Sequence, residues 1–104
     1  MAHAVIVHPL LAGGQFGSVE EHETIYALER EQEEAIVATS SGEFDGDEFG
    51  GNECVLYMYG TDADRLYASV EPKLKSTRVA SGGYAIKRYG DAQDTQAWEV
   101  RVSW

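Results

Sequence analysis

A chain of 104 residues with 43% apolar and 11% aromatic content predicts one globular domain over residues 1–104, not a disordered segment. Its net charge of −10 argues against nucleic acid and anionic membrane surfaces as partners, because both present negative groups that attract a basic face. The single Cys54 excludes an internal disulfide framework and a multi-cysteine zinc site; with no charged stretch leading into a long apolar run, a cytoplasmic protein is the expectation.

Residues 3–8 are β-branched or apolar on both faces and predict a central strand, ended by Pro9 and Gly13-Gly14. Ser18, with Glu21 three residues on, makes a capping box for a helix over about 19–39. Ile25, Leu28, Gln32, Ala35 and Ile36 mark its buried stripe. Glu29 and Glu33 are like charges at i,i+4, and Arg30 can offset them only through Glu34. After the turn Ser40-Ser41-Gly42, residues 43–50 predict a second strand. Phe44 and Phe49 are five apart, so a bulge at Gly46 is expected to bring both to one face.

Gly50-Gly51-Asn52 reads as a hairpin turn into a third strand over 53–59, again apolar or aromatic on both faces. Thr61 is expected to cap a second helix, with Leu66, Val70 and Leu74 on its buried side and Pro72 loosening its end. A fourth strand follows over 84–89. A fifth over 96–104 places Trp98, Val100, Val102 and Trp104 on one side. The order β-α-β-β-α-β plus one strand predicts an α+β, ferredoxin-like two-layer sandwich with an additional C-terminal strand, a mainly antiparallel sheet and both helices on one face. The strands over 3–8 and 53–59 take the middle.

Charge is the uneven feature. Residues 20–53 hold 12 acids against the single Arg30, and the other 6 acids are balanced by 7 bases. Folding does not require such segregation, which bears instead on association and partner choice. Asp45, Asp47, Glu48 and Asn52 lack the ligand ladder of a dedicated calcium loop, so no metal is expected. His3, His8 and His22 are scattered, and no nucleophile–base pair can be read from spacing. Cys54 has no cationic flank that would activate it. The glycine pairs lack phosphate-loop context, and no cofactor is expected.

Phe44-Asp45-Gly46-Asp47-Glu48, Gly50-Gly51, Glu53, Leu56-Tyr57-Met58-Tyr59-Gly60 and Asp62-Ala63-Asp64 resemble a group of small acidic bacterial proteins. Size, acidity and single-domain form are also similar to those of immunity proteins of contact-dependent growth inhibition systems. The resemblance implies a non-enzymatic partner that binds and blocks a basic toxin domain, such as a nuclease. Electrostatic roles then fall to Glu29, Glu31, Glu33, Glu34, Glu43, Asp45, Asp47 and Glu48, with Tyr26 or Phe49 as anchors. A rival expectation is a small dimeric, monooxygenase-like enzyme whose sheet-face pocket is lined by Tyr57, Tyr59, His8 and Trp98. A third is a structural or regulatory homodimer joined through an aromatic sheet face.

Overall fold

The computed structural model describes residues 3–9, 19–50, 53–76, 82–91 and 93–104. In chain order these form β1 (His3–His8), α1 (Val19–Thr39), β2 (Glu43–Gly50), β3 (Glu53–Gly60), α2 (Ala63–Ser76), β4 (Tyr84–Arg88) and β5 (Glu99–Ser103). The five strands make one antiparallel sheet in the order β2-β3-β1-β4-β5. β1 is the middle strand and β2 and β5 are the edges. The capping box at Ser18 and the turn at Gly51-Asn52 lie outside the described residues.

Both helices pack on one face. Val5, Val7, Cys54, Leu56, Met58 and Ala85 point to that side and are fully buried against Ile25, Leu28 and Ile36 of α1 and Leu66, Val70 and Leu74 of α2. Each fully buried aliphatic side chain contributes about 1.5–3 kcal/mol. Repeats of three and four in the helices and of two in the strands bring these residues into one layer.

β2 carries the expected bulge. Phe44 pairs with Met58 and Gly46 with Tyr57, which leaves Asp45 as the extra residue. Gly46 takes φ 136°, a conformation that favours glycine. Phe44 and Phe49 thereby share the core side, opposite Met58 and Cys54.

The end of α1 is closed by its backbone. The Ser41 N–H donates to Ile36 O and the Ser40 N–H to Val37 O, both at 3.2 Å, with Ser40 at φ 51°. This is the Schellman pattern, in which the left-handed position usually belongs to glycine. Ser40→Gly is expected to raise the unfolding free energy by about 0.5–1 kcal/mol, measured by urea denaturation; an unchanged or lower value would refute the strain.

Three expectations are corrected. Asp62, not Thr61, caps α2: its Oδ1 accepts from the Asp64 and Arg65 N–H groups at 3.0 and 3.3 Å. The Asp62 carboxylate sits one residue nearer the first turn than the Thr61 hydroxyl. β5 begins at Glu99 rather than residue 96, because the Tyr89 N–H donates to Trp98 O at 2.8 Å and closes a loop before the strand. The tryptophans do not lie on the open sheet face: Val102 pairs with Ala85, so Val102 and Trp104 pack toward the core, while Trp98 is 80% exposed.

Candidate functional site

The acids proposed from sequence lie around α1 and the β2 edge. His22 stacks on Phe49 at 4.1 Å, and Tyr26 meets the same ring edge-on at 6.2 Å. These contacts turn one flank of α1 toward β2. His22 is thus half-buried rather than exposed, and Phe49 lies beneath it. Tyr26, 44% exposed, remains available as an anchor. Glu29 follows on the same flank, with Glu33 one turn further. Glu31 lies across the helix from both, and Glu34 points outward.

The bulge sorts the strand acids. Asp47 pairs with Leu56 and shares the helix side with Phe44 and Phe49. Glu43 and Glu48, opposite Tyr59 and Val55, point to the face that carries no helix. Asp47 and Glu48 therefore diverge and cannot chelate one ion together. Among the described residues no group of three or more His, Cys, Asp or Glu is placed to hold a metal. The eight acids form a band wrapping the β2 edge, not one flat patch.

Glu29 and Asp47 are brought together across the α1–β2 seam. Burial, then a hydrogen bond that the protonated Glu29 donates to Asp47, then the charge of Asp47, push the Glu29 carboxyl from its ordinary 4.5 up to about 8. Among the described residues, Glu29 Oε2 has no hydrogen-bond partner, and neither side-chain polar atom of the fully buried Gln32 has one. Nearby, burial and the same two carboxylates push the Cys54 thiol up to about 12, which leaves it protonated and unreactive at neutral pH. Sequence reasoning missed this pair. The available signal was parity: Asp47 stands two residues before Phe49 and follows it to the core side.

The other seven acids are exposed. Ion pairs among the described residues join Lys75 to Glu71 at 3.9 Å, Lys87 to Asp64 at 2.9 Å and Arg88 to Glu99 at 2.8 Å. None engages the eight acids, and the offset of Glu34 by Arg30 is not formed. Apart from Arg30 on α1, the described bases sit on α2, β4 and β5, so negative charge is concentrated along the β2 edge of the sheet.

The four residues of the enzymatic expectation do not converge. Tyr57 and Tyr59 border a hollow of about 440 Å³ on the open face, with Ala4, Ile6, Arg88 and Glu99. His8 instead stacks on Tyr84 at 4.6 Å, and burial holds its imidazole below the ordinary 6.5. Trp98 projects into solvent. A separate polar network ties α2 to β4: Tyr89 Oη and Lys87 Nζ donate to Asp64 Oδ1 at 2.6 and 2.9 Å, and His3 Nδ1 accepts from the Ala63 N–H at 3.1 Å. Hydrogen bonds from Tyr89 and Lys87 hold the Asp64 carboxyl below its ordinary range. No described helix is long and apolar enough to cross a membrane. No protein-family model, no curated protein and no solved structure matches this chain.

Proposed function

We propose that this chain is an immunity- or antitoxin-type binding protein, without catalytic activity of its own, that neutralises a basic toxin domain such as a nuclease in the cytoplasm. The observation that carries this reading is a band of exposed carboxylates with no ion-pair partner among the described residues, running from the α1 flank around the β2 edge. Uncompensated like charge is unfavourable in the free chain and is relieved by Lys and Arg of a partner. Its carboxylates stand in for the phosphates that a nuclease recognises. Tyr26, beside Glu29 and Glu33, supplies an aromatic anchor within the band. The strand order, with both helices on one face, supports a ferredoxin-like scaffold extended at one edge by β5.

The enzymatic alternative rests on the open-face hollow alone. Neither His8 nor Trp98 lines that hollow.

The test is a pull-down from cells of the source with the tagged chain, followed by titration of the captured protein. Capture of a basic protein at about 50 mM salt, lost at about 500 mM, is expected because screening shortens the reach of exposed charges. The variant Glu33→Lys/Glu34→Lys/Glu43→Lys/Asp45→Lys changes only exposed side chains and is expected to keep the fold. It should bind the same protein at least about tenfold more weakly, a loss of about 1.4 kcal/mol. Equal affinity of variant and parent would end this reading.

A further inference from the structure

The side of the sheet opposite the helices is bare among the described elements. One row across it reads Gly46, Tyr57, Ile6, Ile86, Arg101, from the β2 edge to the β5 edge. Its three central residues are apolar or aromatic, and its ends differ in kind. At one end, nothing lies within 4 Å of where a Cβ on Gly46 would stand. Gly46 lines a shallow hollow of about 390 Å³ together with Asp45, Asp47, Glu48, Tyr57 and Tyr59. At the other end, the Arg101 guanidinium lies over the Tyr84 ring at 3.8 Å, is exposed, and joins no ion pair among the described residues. One edge thus carries an acid-lined cavity and the other an unpaired cation in the same row.

We infer that the open sheet face joins two copies of this chain about a two-fold axis running along β1, seating Arg101 of each copy in the hollow over Gly46 of the other. This goes beyond the reading as a toxin-binding protein and does not depend on it.

Symmetry and charge select the axis. Two sheets packed face to face keep their strands roughly aligned and about 10 Å apart. A two-fold axis perpendicular to the strands would set each edge over its own copy, opposing Glu43 and Glu48 with themselves. An axis parallel to the strands exchanges the edges instead. Because β1 is the third of five strands, an axis along it gives full overlap. Tyr57 of each copy then lies over Ile86 of the other, and Arg101 over Gly46. Glu99, which the rotation brings toward Glu43, is neutralised by Arg88 at 2.8 Å. The contact is isologous, as closed dimers require. A face with an apolar middle and complementary charged margins has the anatomy of an interface.

Sedimentation velocity of the purified chain, with no other protein present, tests this. The parent chain is expected to show a concentration-dependent species of twice the chain mass that weakens with salt. R101E and E48R each set like charges against one another and are expected to raise the dissociation constant at least about tenfold. Both positions are exposed, and circular dichroism of each variant should match the parent. Mixing the two variants in equal amounts restores both attractive contacts in the heterodimer, so the mixture should return to the parent's dissociation constant. A parent chain that stays monomeric up to about 0.5 mM, far above the range of specific dimers, overturns the proposal; that result would assign the face to a different protein. Single variants that dimerise like the parent, or a mixture that stays monomeric, overturn it as well.

Discussion

At pH 8, Glu29→Gln is expected to stabilise the domain by about 1–2 kcal/mol, while at pH 5 the variant and the parent should differ little. The sign follows from where the proton sits. Folded, Glu29 keeps its proton to about pH 8; unfolded, it releases it near 4.5. Across that window the native state binds more protons than the unfolded state, so stability is fully present below pH 4.5 and is lost as the pH rises toward 8. A fully buried carboxyl with such a shift would lose more, but Glu29 is only half-buried and water reduces the effect. Glutamine is neutral at every pH and can donate an N–H to Asp47, so it removes the dependence. His8, held below 6.5 by burial, works in the opposite sense as the pH falls. The difference between variant and parent therefore isolates Glu29. Urea unfolding of both at pH 5, 6.5 and 8 provides the measurement, and an identical pH slope in the two chains would rule out a shared proton across the α1–β2 seam.

Gly60→Ala is expected to cost about 3 kcal/mol or more, a large part of the stability of a domain this size. A Cβ on Gly60 would stand 2.3 Å from Ser41 O, and one on Gly42 would stand 2.0 Å from Tyr59 O. The two backbones cross here without room for a side chain on either. Neither can yield easily. The Ser41 N–H closes the end of α1, and Gly60 pairs with His3 at the end of β3. Ser41 is also buried, with its Oγ 2.9 Å from Thr39 Oγ1 and 3.1 Å from Ser69 Oγ, which links the end of α1 to α2. Moving this crossing disturbs both helices and the sheet at once. Gly46→Ala is the informative contrast: it meets no atom within 4 Å and pays only for φ 136°, about 1 kcal/mol. If Gly60→Ala unfolds within 1 kcal/mol of the parent, the crossing is looser than its backbone distances require.

These two variants and the charge-based ones address separate layers of the molecule. Glu29 and Gly60 govern how α1 sits on β2 and β3. Under the proposals above, exposed acids on α1 and β2 would meet a basic partner, and Arg101 with Glu48 would set self-association. Glu43 and Asp45 belong to both the acidic band and the margin of the open face. A dimer would thus leave the α1 flank, with Tyr26, Glu33 and Glu34, as the part of the band free to meet another protein.

The amino-acid sequence by itself determined the kind and order of the elements, because its periodicities are local. Leu66, Val70 and Leu74 are buried as their spacing requires, and so are Cys54, Leu56 and Met58. The spacing of five from Phe44 to Phe49 already called for a bulge, since a regular strand would set them on opposite faces. Chain order and the rules for crossovers placed β1 and β3 inside the sheet. The segregation of charge was equally plain, since it is a property of composition along the chain.

Only the tertiary structure decided which acids meet. Glu29 and Asp47 stand 18 positions apart in the numbering and come together because His22 and Tyr26 on α1 pack against Phe49 on β2. Asp47 and Glu48 are neighbours in sequence and part to opposite faces because strand geometry alternates. The tryptophans turned out to lie away from the open face because β5 starts later and takes its register from Ala85 and Val102. The hollow over Gly46 and the cation of Arg101 fall in one row only after four strand pairings are set. Such distances depend on registers between remote segments, and a linear pattern of residue types does not carry them.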